Sequence, residues 1–147
     1  MARWAPVLIR IVLGITFVAH GAQKIFGLWG GLGFSGTIDA FAKQGMPAVM
    51  TILVMIAEFF GGLGVLVGCL TRLAAFGPAI VMLGAMLLVS AQNGFFMNWF
   101  NAPGHGHGIE CNLAYFAMAV SLMMTGAGPL SIDAVRGGGP RRARDLL

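Results

Sequence analysis

Glu58 is the side chain most able to do chemistry, because it is the one carboxylate in the apolar run from Pro47 to Leu70. If that run is a spanning helix, its rise of 1.5 Å per residue puts Glu58 roughly 17 Å from each end, at a bilayer midplane. An acid at that depth is costly and needs a partner, and it faces a bundle interior or a wet cavity rather than lipid. The first apolar run supplies three candidates: Arg10, His20 and Lys24. At 100° per residue they fall within roughly 80° of one another, beside Gly14, Phe17 and Gly21. Arg10 and Lys24 lie close enough to opposite ends to snorkel, whereas His20 is near the midplane. By depth alone, His20 is the best match for Glu58. Two kinds of chemistry fit this set. One is a buried ion-pair network that fixes helix register. The other is a proton relay or polar pocket for a quinone head group, to which imidazole and a midplane carboxylate are suited.

A second set lies in the loop from Asn93 to Ile109 and the residues after it: His105, His107, Glu110 and Cys111. Two imidazoles, a carboxylate and a thiolate are a ligand set for zinc or copper, and His-x-His can share one ion when its backbone is extended. Cys111 alone is a redox-reactive thiol candidate, since a helix N-terminus lowers thiol pKa, with Glu110 opposing that effect. The plain alternative is a solvated flexible loop. Glycines at 104, 106 and 108 serve either reading.

The elements that must position these groups follow from composition. The chain has 147 residues, 58% hydrophobic and 10% charged, so it belongs in a membrane and leaves no room for a soluble catalytic domain. Four apolar stretches predict an all-α, integral membrane four-helix bundle over residues 1–134. Its spans are about Ala5 to Trp29, Pro47 to Leu70, Leu73 to Ala91 and Glu110 to Gly128. The first span is read as mature rather than as a cleaved leader, because Arg10 interrupts its apolar region. Between the first two spans, Gly30 to Met46 reads as a turn and a short amphipathic surface piece, and Pro47 opens the second span as an N1 proline. On the second helix Thr51, Glu58, Gly61, Gly62 and Cys69 share a small, polar face, while Met55, Phe59 and Val67 point elsewhere. Pro78 is expected to kink the third span. The aromatics Phe95, Phe96, Trp99 and Phe100 place the long loop at the lipid boundary, folded back as a lid. Residues 135–147 read as a basic, disordered tail.

The net charge of +4 does not point to nucleic acid, because four of the nine basic residues sit in the tail after Asp133. They read as a topology signal and a contact for anionic lipid. Lysine and arginine cluster at the N-terminus, at Arg72 and in the tail, and are absent from the Asn93 to Ile109 loop. Both termini are therefore expected in the cytoplasm. Cys69 and Cys111 then lie on opposite sides, too far apart for a disulfide.

The motifs resemble those of the DoxX family. Arg10-Ile-Val-Leu-Gly with His20-Gly21-x-x-Lys24 resembles its first helix. Glu58-Phe-Phe-Gly-Gly and the later Gly68-Cys-Leu-Thr71-Arg72 resemble its second. Glu110-x-Asn112-Leu and Gly126-x-Gly128-x-x-Ser131-x-Asp133 resemble its fourth helix and ending. The resemblance implies a small membrane protein; the family takes its name from a membrane subunit of a thiosulfate:quinone oxidoreductase, and other members are associated with thiol and oxidative stress. The His105 and His107 pair departs from the family pattern. The expectation is a subunit of a quinone- or thiol-linked membrane oxidoreductase system in the cell inner membrane. It would contact lipids and a quinone, and work with a protein partner or further copies of itself. No flavin or nicotinamide fingerprint is present, so electrons would come from a partner or the membrane. The alternatives are a small proton-coupled transporter or channel, and a structural accessory subunit.

Overall fold

The computed structural model describes residues 2–137, and among these every regular element is a helix and none is a strand. Helix α1 (Ala5–Phe26) carries a proline in its first turn, where no N–H is needed, and ends at Gly27 in the left-handed region. Helix α2 (Gly33–Ala42) is the short surface piece, and its Thr37 hydroxyl donates to the Lys24 carbonyl at 3.1 Å. That bond satisfies one of the carbonyls left open in the last turn of α1. Helix α3 (Ala48–Val67) starts one residue after Pro47, which is the cap rather than the first helical residue. It ends at Gly68, and helix α4 (Thr71–Ala85) follows almost at once.

Beyond Ala85 the helix widens to a π-segment, Met86–Ser90, and tightens to a 3-10 turn, Ala91–Asn93. Helix α5 (Glu110–Thr125) follows the long loop, and helix α6 (Ile132–Arg136) closes the described chain. Val135 and Arg136, expected in a disordered tail, belong to α6. The rest of that expected tail, 138–147, lies outside the described residues.

Among the described residues three helices are long and apolar enough to cross a membrane: Ala5–Phe26, Ala48–Val67 and Thr71–Asn93. The fourth apolar run yields only the 16 residues of α5, because Gly126 ends it. At 1.5 Å per residue that is about 24 Å, short of the roughly 30 Å hydrocarbon slab. Helix α1 packs on α3, α3 on α4, and α4 on α5, and α5 touches α1 along a narrower strip. The core between them is Leu13, Phe17, Val65, Ala75, Ala79, Val81, Ala119 and Leu122.

Close approach of α1 and α3 depends on missing side chains. A Cβ at Gly14 would stand 2.7 Å from the Leu66 Cα, one at Gly21 2.7 Å from the Phe59 Cα, and one at Gly62 2.8 Å from the Phe17 Cβ. Such contacts let two backbones meet without intervening bulk, as small-residue membrane interfaces do. The paired numbers run in opposite senses, so the helices are antiparallel. Gly61 makes room for Pro78 of α4 in the same way, with 2.9 Å from its would-be Cβ to the proline ring. α4 continues through Pro78 without a break in the helix.

The buried residues of α3 are Thr51, Met55, Glu58, Gly62 and Val65. Met55 therefore belongs to the inward stripe, contrary to the single-face reading. α3 is packed by α1 on one side and α4 on the other, and two neighbours bury a wider arc than one.

Candidate functional site

Glu58 lies between α1 and α3 with only 4% of its surface exposed. Its partner is Lys24: the ammonium donates to Oε2, the one ion pair among the described residues. Lys24 keeps 22% of its side chain open, at the edge of the helix pair. Depth counting chose His20 instead, and the structure corrects that choice. His20 is exposed and makes no hydrogen bond to Glu58. Side chains on a helix lean toward its N-terminus. Lys24 leans inward from the end of α1 and Glu58 leans outward along the antiparallel α3, so the two tips converge although their Cα atoms differ in depth. α2 covers the end of α1 beside the pair. Gly31 sits so close to Gln23 that a Cβ would lie 2.3 Å from the Gln23 carbonyl oxygen. Phe59, next to Glu58, stacks edge-on against Phe26 at 5.5 Å.

Arg10 does not join this pair. It is 97% buried at the other end of α1, and its guanidinium donates to the carbonyls of Leu66 at 2.9 Å and Leu130 at 2.6 Å. Rather than snorkelling to water, it finds open carbonyls at the end of α3 and in the turn before α6. The same corner holds Gly68, where a Cβ would stand 2.4 Å from the Ser131 Cβ and 2.6 Å from the Arg10 guanidinium. With φ at 68°, Gly68 also needs the freedom only glycine has.

Asp133 completes the corner by accepting from the N–H groups of Leu70 at 2.7 Å and Thr71 at 2.8 Å, the open donors at the start of α4. Its own N–H donates to the Gly68 carbonyl at 2.9 Å. Burial opposes ionisation of Asp133, but the Thr71 N–H and hydroxyl, the Leu70 N–H and nearby Arg136 together outweigh it and hold the carboxyl below its usual pKa. Ser131 caps α6 by accepting from the Ala134 N–H. Sequence reasoning quoted Ser131 and Asp133 as part of a motif without giving them a task. A serine followed by an acidic second helical residue was the signal for a cap.

The four loop residues proposed as a metal set do not converge. Among the described residues no three His, Cys, Asp or Glu side chains form a group able to hold a metal ion. His105 and His107 are exposed, and each of the other two sets of contacts is local. His107 Nδ1 accepts from the Asn98 N–H at 3.3 Å, and Glu110 accepts from the Met97 N–H at 3.0 Å. The loop closes on its own stems, with N–H groups of Gly108, Ile109 and Glu110 donating to carbonyls of Phe96, Gly94 and Phe95. Gly108 is required there, since a Cβ would meet the Gly94 carbonyl oxygen at 2.5 Å. Asn112 donates to Ser90 Oγ at 2.8 Å and ties α5 to the π-segment. Both cysteines are free, and they lie at opposite ends of the helices, Cys69 at the α3–α4 turn and Cys111 in the first turn of α5.

Relatives share this chain over most of their length. The Bacillus subtilis protein named "Putative oxidoreductase CatD" is 29% identical over 126 residues, covering 86% of this chain and 82% of its own. The Escherichia coli inner membrane protein YqjF is 32% identical over 125 residues, 84% of this chain and 85% of its own. The uncharacterized membrane protein Rv3486 of Mycobacterium tuberculosis is 30% identical over 132 residues, 85% of this chain and 77% of its own. No solved structure matches the chain. The DoxX family model matches residues 5–91, a span that holds Arg10, Lys24, Glu58 and the α3–α4 turn, and the chain belongs to the DoxX family.

Proposed function

We propose that this chain is an inner-membrane protein in which the three long helices and the shorter α5 all cross, the slab being met by the residues flanking α5, with both termini cytoplasmic, and that it serves as a subunit of a quinone- or thiol-linked oxidoreductase system. The observation that carries the reading is the Lys24 and Glu58 pair, a titratable couple buried between two apolar helices. A quinone reduced within a membrane takes up protons as well as electrons, and a buried couple open at one edge is suited to hold and pass a proton there. Lys24, the more exposed partner, is the group that would meet a quinone carbonyl. Electrons would come from a partner protein. The oxidoreductase name carried by CatD supports the same class.

The test is quinone-dependent turnover in membranes containing the Glu58→Gln protein and its co-purifying partners. A loss of about 10²-fold or more, the usual weight of a positioned proton donor, with the protein still folded, is expected. Unchanged turnover refutes the relay and leaves the pair a packing device. Orientation is tested by labelling intact cells and inverted vesicles with an impermeant thiol reagent. Cys69 should react from the cytoplasmic side and Cys111 from the other, and the reverse pattern inverts the topology.

A further inference from the structure

Beside the α3–α4 turn is an open cavity of about 370 Å³, lined by Leu70, Thr71, Arg72, Leu73, Gly126, Ala127 and Asp133. Its volume is in the range of small-molecule sites. Two opposite charges line it, yet among the described residues no ion pair joins Arg72 to Asp133. Arg72 is exposed, and its Nε lies 3.7 Å from where a Cβ on Gly126 would be, so the bare glycine lets the guanidinium lie against the cavity wall. Asp133 spends one acceptor position of each oxygen on the turn N–H groups, and a carboxylate has about four. Thr71 is 99% buried, with its hydroxyl beside Asp133.

The remaining wall is apolar, and Leu70 and Leu73 are 60% and 69% exposed at the end of the helices. An end rich in arginine and exposed leucine is where a membrane protein meets lipid head groups. A ligand that fits this cavity carries a negative and a positive group a few bonds apart, with hydrocarbon attached. We propose that the cavity binds the head group of phosphatidylethanolamine, with its phosphate on Arg72 and its primary ammonium on Asp133. Phosphatidylglycerol offers the phosphate without the ammonium, and the carboxylate of Asp133 repels it. Phosphatidylcholine offers a cation with no N–H to donate to that carboxylate.

Native mass spectrometry of the full, delipidated chain in detergent, with each of these three lipids added, tests the proposal. One molecule of phosphatidylethanolamine should be retained at concentrations where the other two are lost. Arg72→Gln should weaken that retention by roughly tenfold or more, as expected for a lost charge-assisted hydrogen bond, and Arg72→Lys should keep most of it. Equal retention of phosphatidylglycerol or phosphatidylcholine by the unaltered protein overturns the proposal. So does unchanged retention by Arg72→Gln. Should Arg72→Gln fail to fold, the three-lipid comparison on the unaltered protein and the lysine variant decides.

Discussion

The two ends of α1 bury a cation in opposite ways. The two terminal nitrogens of Arg10 donate to backbone carbonyls while its Nε has no partner, and no carboxylate is within ion-pair distance, whereas Lys24 pairs with a carboxylate. A guanidinium has five donors in a rigid fork and stays charged, which suits it to bridge fixed carbonyls from two segments. An ammonium is a compact point charge on a flexible stem, which suits it to pair with a single carboxylate. The Arg10 corner therefore joins chain segments through backbone carbonyls, and the Lys24 and Glu58 pair is a couple of opposite charges between two helices. One face of one helix holds two separate devices.

The contrast is open to attack at three strengths. The largest effect is expected from Glu58→Leu, which strands the Lys24 ammonium and should destabilise by about 3 kcal/mol in detergent unfolding. Adding Lys24→Met should restore most of that loss, because a buried pair replaced by apolar side chains is often neutral. If the double variant stays as unstable as the single, the pair is a fastening like Arg10. Arg10→Met should cost about 2 kcal/mol, since it leaves the Leu66 and Leu130 carbonyls without their donor. No neighbouring change repairs it, and a second-site apolar substitution that did so would erase the distinction.

The smallest effect concerns pH. Asp133 has a folded pKa held below the unfolded value of about 3.9, so its contribution is fully present above that value and is lost as pH falls through the folded one. Thermal midpoints measured below about pH 4 should drop more for the unaltered chain than for Asp133→Asn. Equal slopes would remove Asp133 from the fastening.

Helix existence was legible in the sequence because each run repeats apolar residues at helical length, and α1 and α3 end within three residues of their expected limits. That Glu58 would find a partner on the first helix was also legible, from the cost of an uncompensated acid. Which partner was not. Depth along an axis treats side chains as points, and Lys24 has four methylenes that carry its charge back toward the middle. The Arg10 corner was hidden for a different reason, since its acceptors are carbonyls, which every residue has and no pattern of side chains announces. The proposed metal residues do not converge among the described residues, because spacing in a loop says nothing of direction. The Asn98 N–H donates to His107 Nδ1 and the Met97 N–H to Glu110, so two of the four groups serve loop closure.

The bond from Arg10 to Leu130 joins residues 120 positions apart, whereas that to Leu66 joins residues 56 apart. During synthesis, at 5–20 residues per second, the first carbonyl becomes available roughly 3 to 11 s after Arg10 is made and the second roughly 6 to 24 s after. Through that interval α1 carries a guanidinium whose Leu130 acceptor has not yet been made. A ribosome that stalls before Leu130, or a message cut short there, yields a product with this defect built in. The second carbonyl bond of Arg10 thus forms only after α1, α3, α4 and α5 have all been made.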